Sequence, residues 1–254
     1  MKLIEVLAKL DSLAKENNIS KPYIVGGLPR DKTMGLTAIQ VQDIDITTGE
    51  KDSLGLAMAA SKEWEQTHFR MYDDGHSSLA FKNIQIDFSN NFLIPGIKEE
   101  LEKMGITNPA QLQKEIYSRD FTINTLLLPL DMSEIIDITG KGIEDCKNKI
   151  LRTPINPELT IGYDPRRILR ALKFTIKFNL TIDKELEEAL LKYRGNVKDI
   201  PLNHIKKQIN EMLAMNADKT MELLTKYKLL PIIPLSKLMR MEVLKRKMIQ
   251  DILD

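Results

Sequence analysis

The sequence predicts an α+β protein: a small mixed sheet with flanking helices over residues 1–152, then an all-helical region over residues 153–254. Three observations predict it. Short runs with period-two alternation, separated by turn residues, crowd the first part. Helical apolar periods dominate from about Asn156 onward. The charge also changes sign: residues 1–150 hold 17 Lys and Arg against 23 Asp and Glu, a net of −6, and residues 151–254 hold 20 against 13, a net of +7. A length of 254 residues accommodates two domains.

Taken in order, Leu3, Ile4, Leu7, Leu10 and Leu13 recur at helical spacing and predict a first amphipathic helix laid on a core. Glu5, Lys9 and Asp11 interrupt its apolar run, so it reads as neither a signal peptide nor a membrane span. Tyr23-Ile24-Val25 is a short strand stopped by Gly26-Gly27. Residues 41–47 alternate with strand period. A helix is expected over 52–64, and strands over 68–72, 78–81 and 84–88, with turns at Asp73-Asp74-Gly75 and Lys82-Asn83. Helices over 97–104 and 109–117 complete the first part. The second part predicts helices over 164–178, 183–192, 202–213, 219–226 and 236–253, with Asp183 as an N-cap. The single cysteine, Cys146, excludes a disulfide framework within the chain, and no stretch is apolar enough for a bilayer. A cytoplasmic protein is expected.

Chemistry concentrates first at Gly26-Gly27-Leu28-Pro29-Arg30-Asp31 and Asp43-Ile44-Asp45. In a strand, residues i and i+2 share a face, so Asp43 and Asp45 stand side by side while Ile44 and Ile46 point to the core. Adjacent carboxylates repel each other unless a cation lies between them, and hard oxygen donors suit Mg²⁺, which completes its shell with water and phosphate. Gly26 and Gly27, between a strand and a helical turn, let backbone N–H groups approach an anion closely. Arg30 is expected to clamp phosphate oxygens. Asp87, on a nearby strand, stays open between a third metal ligand and a solvent-facing acid.

Two further stretches stand out. In Ser118-Arg119-Asp120-Phe121-Thr122-Ile123-Asn124, Phe121 and Ile123 pack, while Arg119, Asp120 and Asn124 suit contact with ribose, with phosphate or with each other. In Tyr163-Asp164-Pro165-Arg166-Arg167-Ile168-Leu169-Arg170-Ala171-Leu172-Lys173, positions 164, 167 and 170 are expected on one helical face. A carboxylate beside a guanidinium accepts cytosine or adenine and rejects guanine or uracil, because the wrong base leaves buried polar groups unpaired. A simpler reading of this stretch is a capped helix start with solvated arginines. His68, His76 and His204 are scattered too widely for a metal site.

GGLPRD with DID, RDFTINTL, IIDITGKGIED and DPRRILRALKF occur in this order. Over residues 20–235 they resemble the head and neck of the class II tRNA nucleotidyltransferase (CCA-adding enzyme) and bacterial poly(A) polymerase family, in the polymerase-β superfamily. The resemblance implies a nucleotidyltransferase head followed by a helical neck. It implies Mg²⁺ on Asp43 and Asp45, triphosphate contacts from Gly27 and Arg30, a nucleotide contact from Arg119, and base reading by Asp164 and Arg167 with Arg170 and Lys173 nearby. Asp137, Gly140, Gly142 and Asp145 match the family's head-to-neck connector, held to be a hinge. The implied activity is addition of CMP and AMP from CTP and ATP to tRNA 3′ ends. Addition of A only, poly(A) synthesis, and a catalytically weak RNA-binding subunit of a two-chain enzyme are the alternatives.

The chain also departs from the family. Tyr163 stands where a Glu is usual, Ser118 replaces an Arg, Lys173 replaces the last helix Arg, and Asn203-His204-Ile205-Lys206-Lys207-Gln208 lacks the charges of the neck motif. The sequence ends at Asp254, where most relatives continue into a body and tail. Residues 236–253, with Lys237, Arg240, Lys245, Arg246 and Lys247, fit a short RNA-gripping substitute, a homodimer helix or a docking surface for a partner chain.

Overall fold

The structure is a computed structural model that describes residues 2–36, 43–49, 52–64, 67–73, 75–80, 84–89 and 92–233. The expected helix over 236–253, the Lys82-Asn83 turn, Val41, Asp74 and Phe81 lie outside the described residues. The chain divides into two compact units, one of Met1–Asn148 with Thr153–Ile155 and one of Lys149–Arg152 with Asn156–Asp254.

The first unit runs α1 (Leu3–Glu16), β1 (Tyr23–Val25), α2 (Gly27–Thr33), β2 (Asp43–Thr47), α3 (Ser53–Glu63), β3 (His68–Met71), β4 (Ser77–Ala80), β5 (Gln85–Phe88), α4 (Ile97–Lys103), α5 (Gln111–Tyr117), a 3-10 turn (Thr122–Asn124), β6 (Leu128–Pro129) and α6 (Gly142–Asn148). The strands form one sheet in the order β3-β4-β5-β2-β1-β6. Every neighbouring pair is antiparallel except β2 and β5. That parallel pair needs a crossover, which α3 and the β3–β4 hairpin provide.

Alternation along the strands decides where the core lies. Ile24, Ile44, Ile46, Leu79, Ile86 and Phe88 are buried on one sheet face against Leu7 and Leu10 of α1 and Leu56, Ala57 and Ala60 of α3. On the opposite face Val25 packs under Ile116 of α5 and Leu127. The acidic side chains of β2 emerge on that second face.

The second unit holds β7 (Ile150–Leu151), α7 (Pro157–Tyr163), α8 (Arg166–Phe178), β8 (Thr181–Ile182), α9 (Lys184–Tyr193), a 3-10 stretch (Arg194–Asp199), α10 (Leu202–Met215) and α11 (Ala217–Lys226). Asp183 caps α9 as its sequence position predicts, its carboxylate accepting the Glu185 N–H at 3.3 Å. Helix α7 was not anticipated, although Asn156 accepts the Glu158 N–H at 2.9 Å and Pro157 fills the first position. The parallel β7–β8 pair, with Ile150 opposite Thr181 and Leu151 opposite Ile182, was not anticipated either. Two-residue strands carry no period to read. Helix α8 starts at Arg166, two residues later than expected.

Candidate active site

Strand β2 is read as the sequence predicts: Asp43 and Asp45 are exposed on one face and Ile44 and Ile46 are buried on the other. The parallel register sets Asp45 opposite Asp87 and Asp43 opposite Gln85. Opposed residues share a sheet face, so three carboxylates occupy one patch. The Asp87 side chain is engaged, because the Gln85 amide donates to its two oxygens at 3.0 and 3.2 Å. Burial raises the Asp87 carboxyl above its ordinary range, the Gln85 hydrogen bond opposes this, the Asp43 charge adds to it, and His76 opposes it. The Asp43 contribution is the repulsion that a cation would relieve.

The glycine turn adjoins this patch. Gly26 has φ of +73° and ψ of −118°, a conformation that side chains rarely adopt. A Cβ built on Gly26 would fall 2.6 Å from Asp45 Oδ2. The turn and the carboxylate are therefore in van der Waals contact, and only hydrogen fits between them. Gly26 leads directly into α2, whose first N–H groups have no partner within the helix. Among the described residues no three His, Cys, Asp or Glu side chains converge as a ready metal cage. The donors are instead hard oxygens on an open face beside the glycine turn, which fits a divalent cation that draws the rest of its shell from water and phosphate.

Arg30 lies deeper than the sequence reading expects. It is 6% exposed. Its Nε donates to Asp31 Oδ1 at 2.8 Å, and its Nη1 donates to Asn124 Oδ1 at 2.8 Å. Asn124 in turn donates from Nδ2 to Asp120 Oδ1 at 2.9 Å. The GGLPRD and RDFTIN stretches are thus bound to each other, and Asp120 and Asn124 are in contact with each other, one of the uses their positions suit. The Arg30 Nη2 lies beside Gly27, 3.5 Å from the position of an added Cβ, and is paired with Asp31 Oδ1 at 2.7 Å.

Arg119 is held by a residue that sequence reasoning missed. Its Nη2 sits 3.0 Å from Oε1 of Glu115, which is 3% exposed. The one available signal was the Glu-to-Arg spacing of four within a helical run. The connector residues serve the same region. Asp137 accepts the N–H groups of Gly140 and Ile143 at 3.0 and 2.9 Å, and Asp145 accepts the Thr122 hydroxyl at 2.6 Å. A Cβ on Gly142 would meet the Thr122 carbonyl at 2.7 Å. Cys146 is buried here and its thiol is pushed up to about 12, chiefly by burial, which disfavours the thiolate.

In the second unit the base-reading stretch differs from its expected geometry. Asp164 lies in extended backbone ahead of α8 and shares no helical face with Arg167 and Arg170. Its Oδ1 accepts from Arg166 N and Nε at 3.0 and 2.8 Å, and its Oδ2 accepts from Nη2 at 2.9 Å. The reason is local: an acid two residues before a helix start is in reach of the first free N–H and of that residue's side chain. Arg167 is 6% exposed rather than solvated. The Arg170 guanidinium lies 5.2 Å from the centre of the Phe174 ring, and Lys173 Nζ is 3.0 Å from Glu211 Oε2.

The profile of the poly A polymerase head domain matches residues 22–152. The tRNA nucleotidyltransferase cca2 of Schizosaccharomyces pombe is 26% identical over 88% of this chain and 50% of its own length. The A-adding tRNA nucleotidyltransferase of Aquifex aeolicus is 30% identical over 82% of this chain and 24% of its own length. Among solved structures, the Thermotoga maritima CCA-adding enzyme in complex with tRNA superposes with a TM-score of 0.71 at 25% identity, covering 90% of this chain and 51% of that one. The chain thus spans about half or less of the length of these relatives. Among the described residues no helix is long and apolar enough to cross a membrane. With the head-domain profile covering more than half of its residues, the chain belongs to the family of the poly A polymerase head domain, that of the class II tRNA nucleotidyltransferases and bacterial poly(A) polymerases.

Proposed function

We propose that this chain is a template-independent RNA 3′-terminal nucleotidyltransferase of the CCA-adding type, which transfers CMP and AMP from CTP and ATP to tRNA 3′ ends in the cytoplasm. One observation carries the reading: the Asp45 carboxylate lies against the positive-φ Gly26 turn while Asp87 stands opposite it in register. Acidic oxygens and free backbone donors on adjacent strands are what a metal-bound triphosphate requires. The similarity to tRNA nucleotidyltransferases, one of them solved with tRNA, supports RNA as the acceptor.

In this reading Asp43 and Asp45, with Asp87 as the third carboxylate, hold Mg²⁺. Bound there, Mg²⁺ would lower the pKa of the RNA 3′-hydroxyl and neutralise charge on the triphosphate. Gly26 and Gly27 offer backbone donors to the triphosphate, and Arg30 reaches it by turning its Nη2 from Asp31. Arg119 and Asn124 border the nucleotide. The 3′ oxygen bonds to the α-phosphorus, the bond from that phosphorus to the bridging oxygen breaks, pyrophosphate departs and the hydroxyl proton passes to solvent. Asp164 and Arg167, flanked by Arg170 and Lys173, read the base, with Arg166 holding the Asp164 acceptors until an amino group takes one.

The test supplies the purified protein and Mg²⁺ with each NTP singly, on tRNA ending before CCA, on tRNA ending after CC, and on unrelated RNA. Ordered addition of C, C and A is the expected result. Long A tails, or extension of an intact CCA end, would move the chain to the poly(A) or A-adding class. Absence of any incorporation would overturn the enzymatic reading. Asp45→Ala is expected to abolish incorporation while RNA binding persists.

A further inference from the structure

Glu115 belongs to none of the motifs above, yet its buried carboxylate sits among three donors. Oε2 accepts from Thr47 Oγ1 at 2.5 Å, and Oε1 accepts from Ser89 Oγ at 3.0 Å and Arg119 Nη2 at 3.0 Å. Thr47 ends β2 two residues beyond Asp45, and Ser89 follows β5 two residues beyond Asp87. Strand period directs both hydroxyls to the face that bears the carboxylates. The strands are tied there by backbone as well, since the Ser89 N–H donates to Ile46 O at 2.8 Å.

The approach of α5 to this point is fixed sterically. Gly49 has φ of +73°, and an added Cβ would lie 2.6 Å from Leu112 Cβ. The Gly49 N–H donates to Thr47 Oγ1 at 3.0 Å, which orients the threonine toward Glu115. Burying a carboxylate is costly, and a guanidinium with two hydroxyl donors offsets that cost. A carboxylate is acceptor-only, whereas a glutamine of the same shape would point N–H groups at one of these donors.

We infer that Glu115 is a positioning residue for nucleotidyl transfer: it fixes the Arg119 guanidinium to the ends of the two strands that carry Asp45 and Asp87, so that nucleotide contact and metal carboxylates keep one spacing. The inference rests on the reading of the preceding subsection.

The test is a double-mutant cycle in the full chain with Glu115→Gln and Arg119→Ala. The readouts are KM and kcat for single-nucleotide addition, equilibrium binding of a fluorescent ATP analogue, and thermal melting. Loss of one charge-assisted hydrogen bond predicts that Glu115→Gln raises nucleotide KM and Kd by about tenfold. It predicts a smaller change in kcat and no further change in the Arg119→Ala background. An equal rise in both backgrounds, or a lower melting temperature with KM and Kd unchanged, overturns the inference and leaves Glu115 as a structural carboxylate. If Glu115→Gln does not fold, Ser89→Ala takes its place in the cycle, with a smaller rise expected, again only when Arg119 is present. A wild-type chain that binds nucleotide without adding it sinks the enzymatic reading while the binding arm still decides on Glu115. A wild-type chain that does neither overturns both.

Discussion

Arg30 and Asn124, 94 positions apart in the sequence, share a buried hydrogen bond of 2.8 Å from guanidinium Nη1 to amide Oδ1. It joins the helix after the glycine turn to the 3-10 turn of the RDFTIN stretch. Because Asn124 also donates to Asp120, one amide bridges a cation and an acid.

Asn124→Ala removes both bonds and leaves a buried guanidinium short of an acceptor. Hydrogen bonds to charged groups predict a loss of about 1.5–3 kcal/mol in folding free energy. Urea unfolding of the variant checks this. A change under half a kilocalorie per mole would show that Arg30 finds another acceptor at no cost.

Gly26→Ala places a methyl group on a backbone conformation suited to glycine and against Asp45 Oδ2. The backbone strain predicts a cost of about 1–3 kcal/mol. Displacement of Asp45 predicts that nucleotide incorporation falls far more than the folded fraction does. Gly27→Ala is the comparison, because its added Cβ meets Arg30 Nη2 at 3.5 Å, an ordinary contact, and it is expected to keep its stability. Melting curves and incorporation assays on both variants are the measurement, and equal stability of the two would contradict the steric argument.

His204 makes folding stability depend on pH in a definite direction. Burial pulls its imidazole below the usual 6.5, helped by Arg166, Arg170 and Lys173 and opposed by Asp164. The unfolded chain then takes up the proton more readily than the folded chain. The contribution is fully present above pH 6.5 and is lost as pH falls through that value toward the lower folded pKa. His204→Gln is expected to melt with a shallower decline than wild type between neutral and mildly acidic pH. Parallel melting-temperature profiles would refute this.

Sequence by itself determined what depends on neighbours a few residues away. The alternation in Asp43-Ile44-Asp45-Ile46 sends acids and isoleucines to opposite faces, since the strand period is a local property of the backbone. The glycine turn, the helix faces and the Asp183 cap follow from the same short-range rules. Only the tertiary structure decided which distant groups meet. It set Asp87 opposite Asp45 through a parallel crossover and sank Arg30 onto Asn124. It made Glu115 an acceptor shared by the ends of two strands. No period or cap signal encodes these choices, because each depends on strand order and helix approach, which arise from burial of the whole apolar face rather than from any one segment.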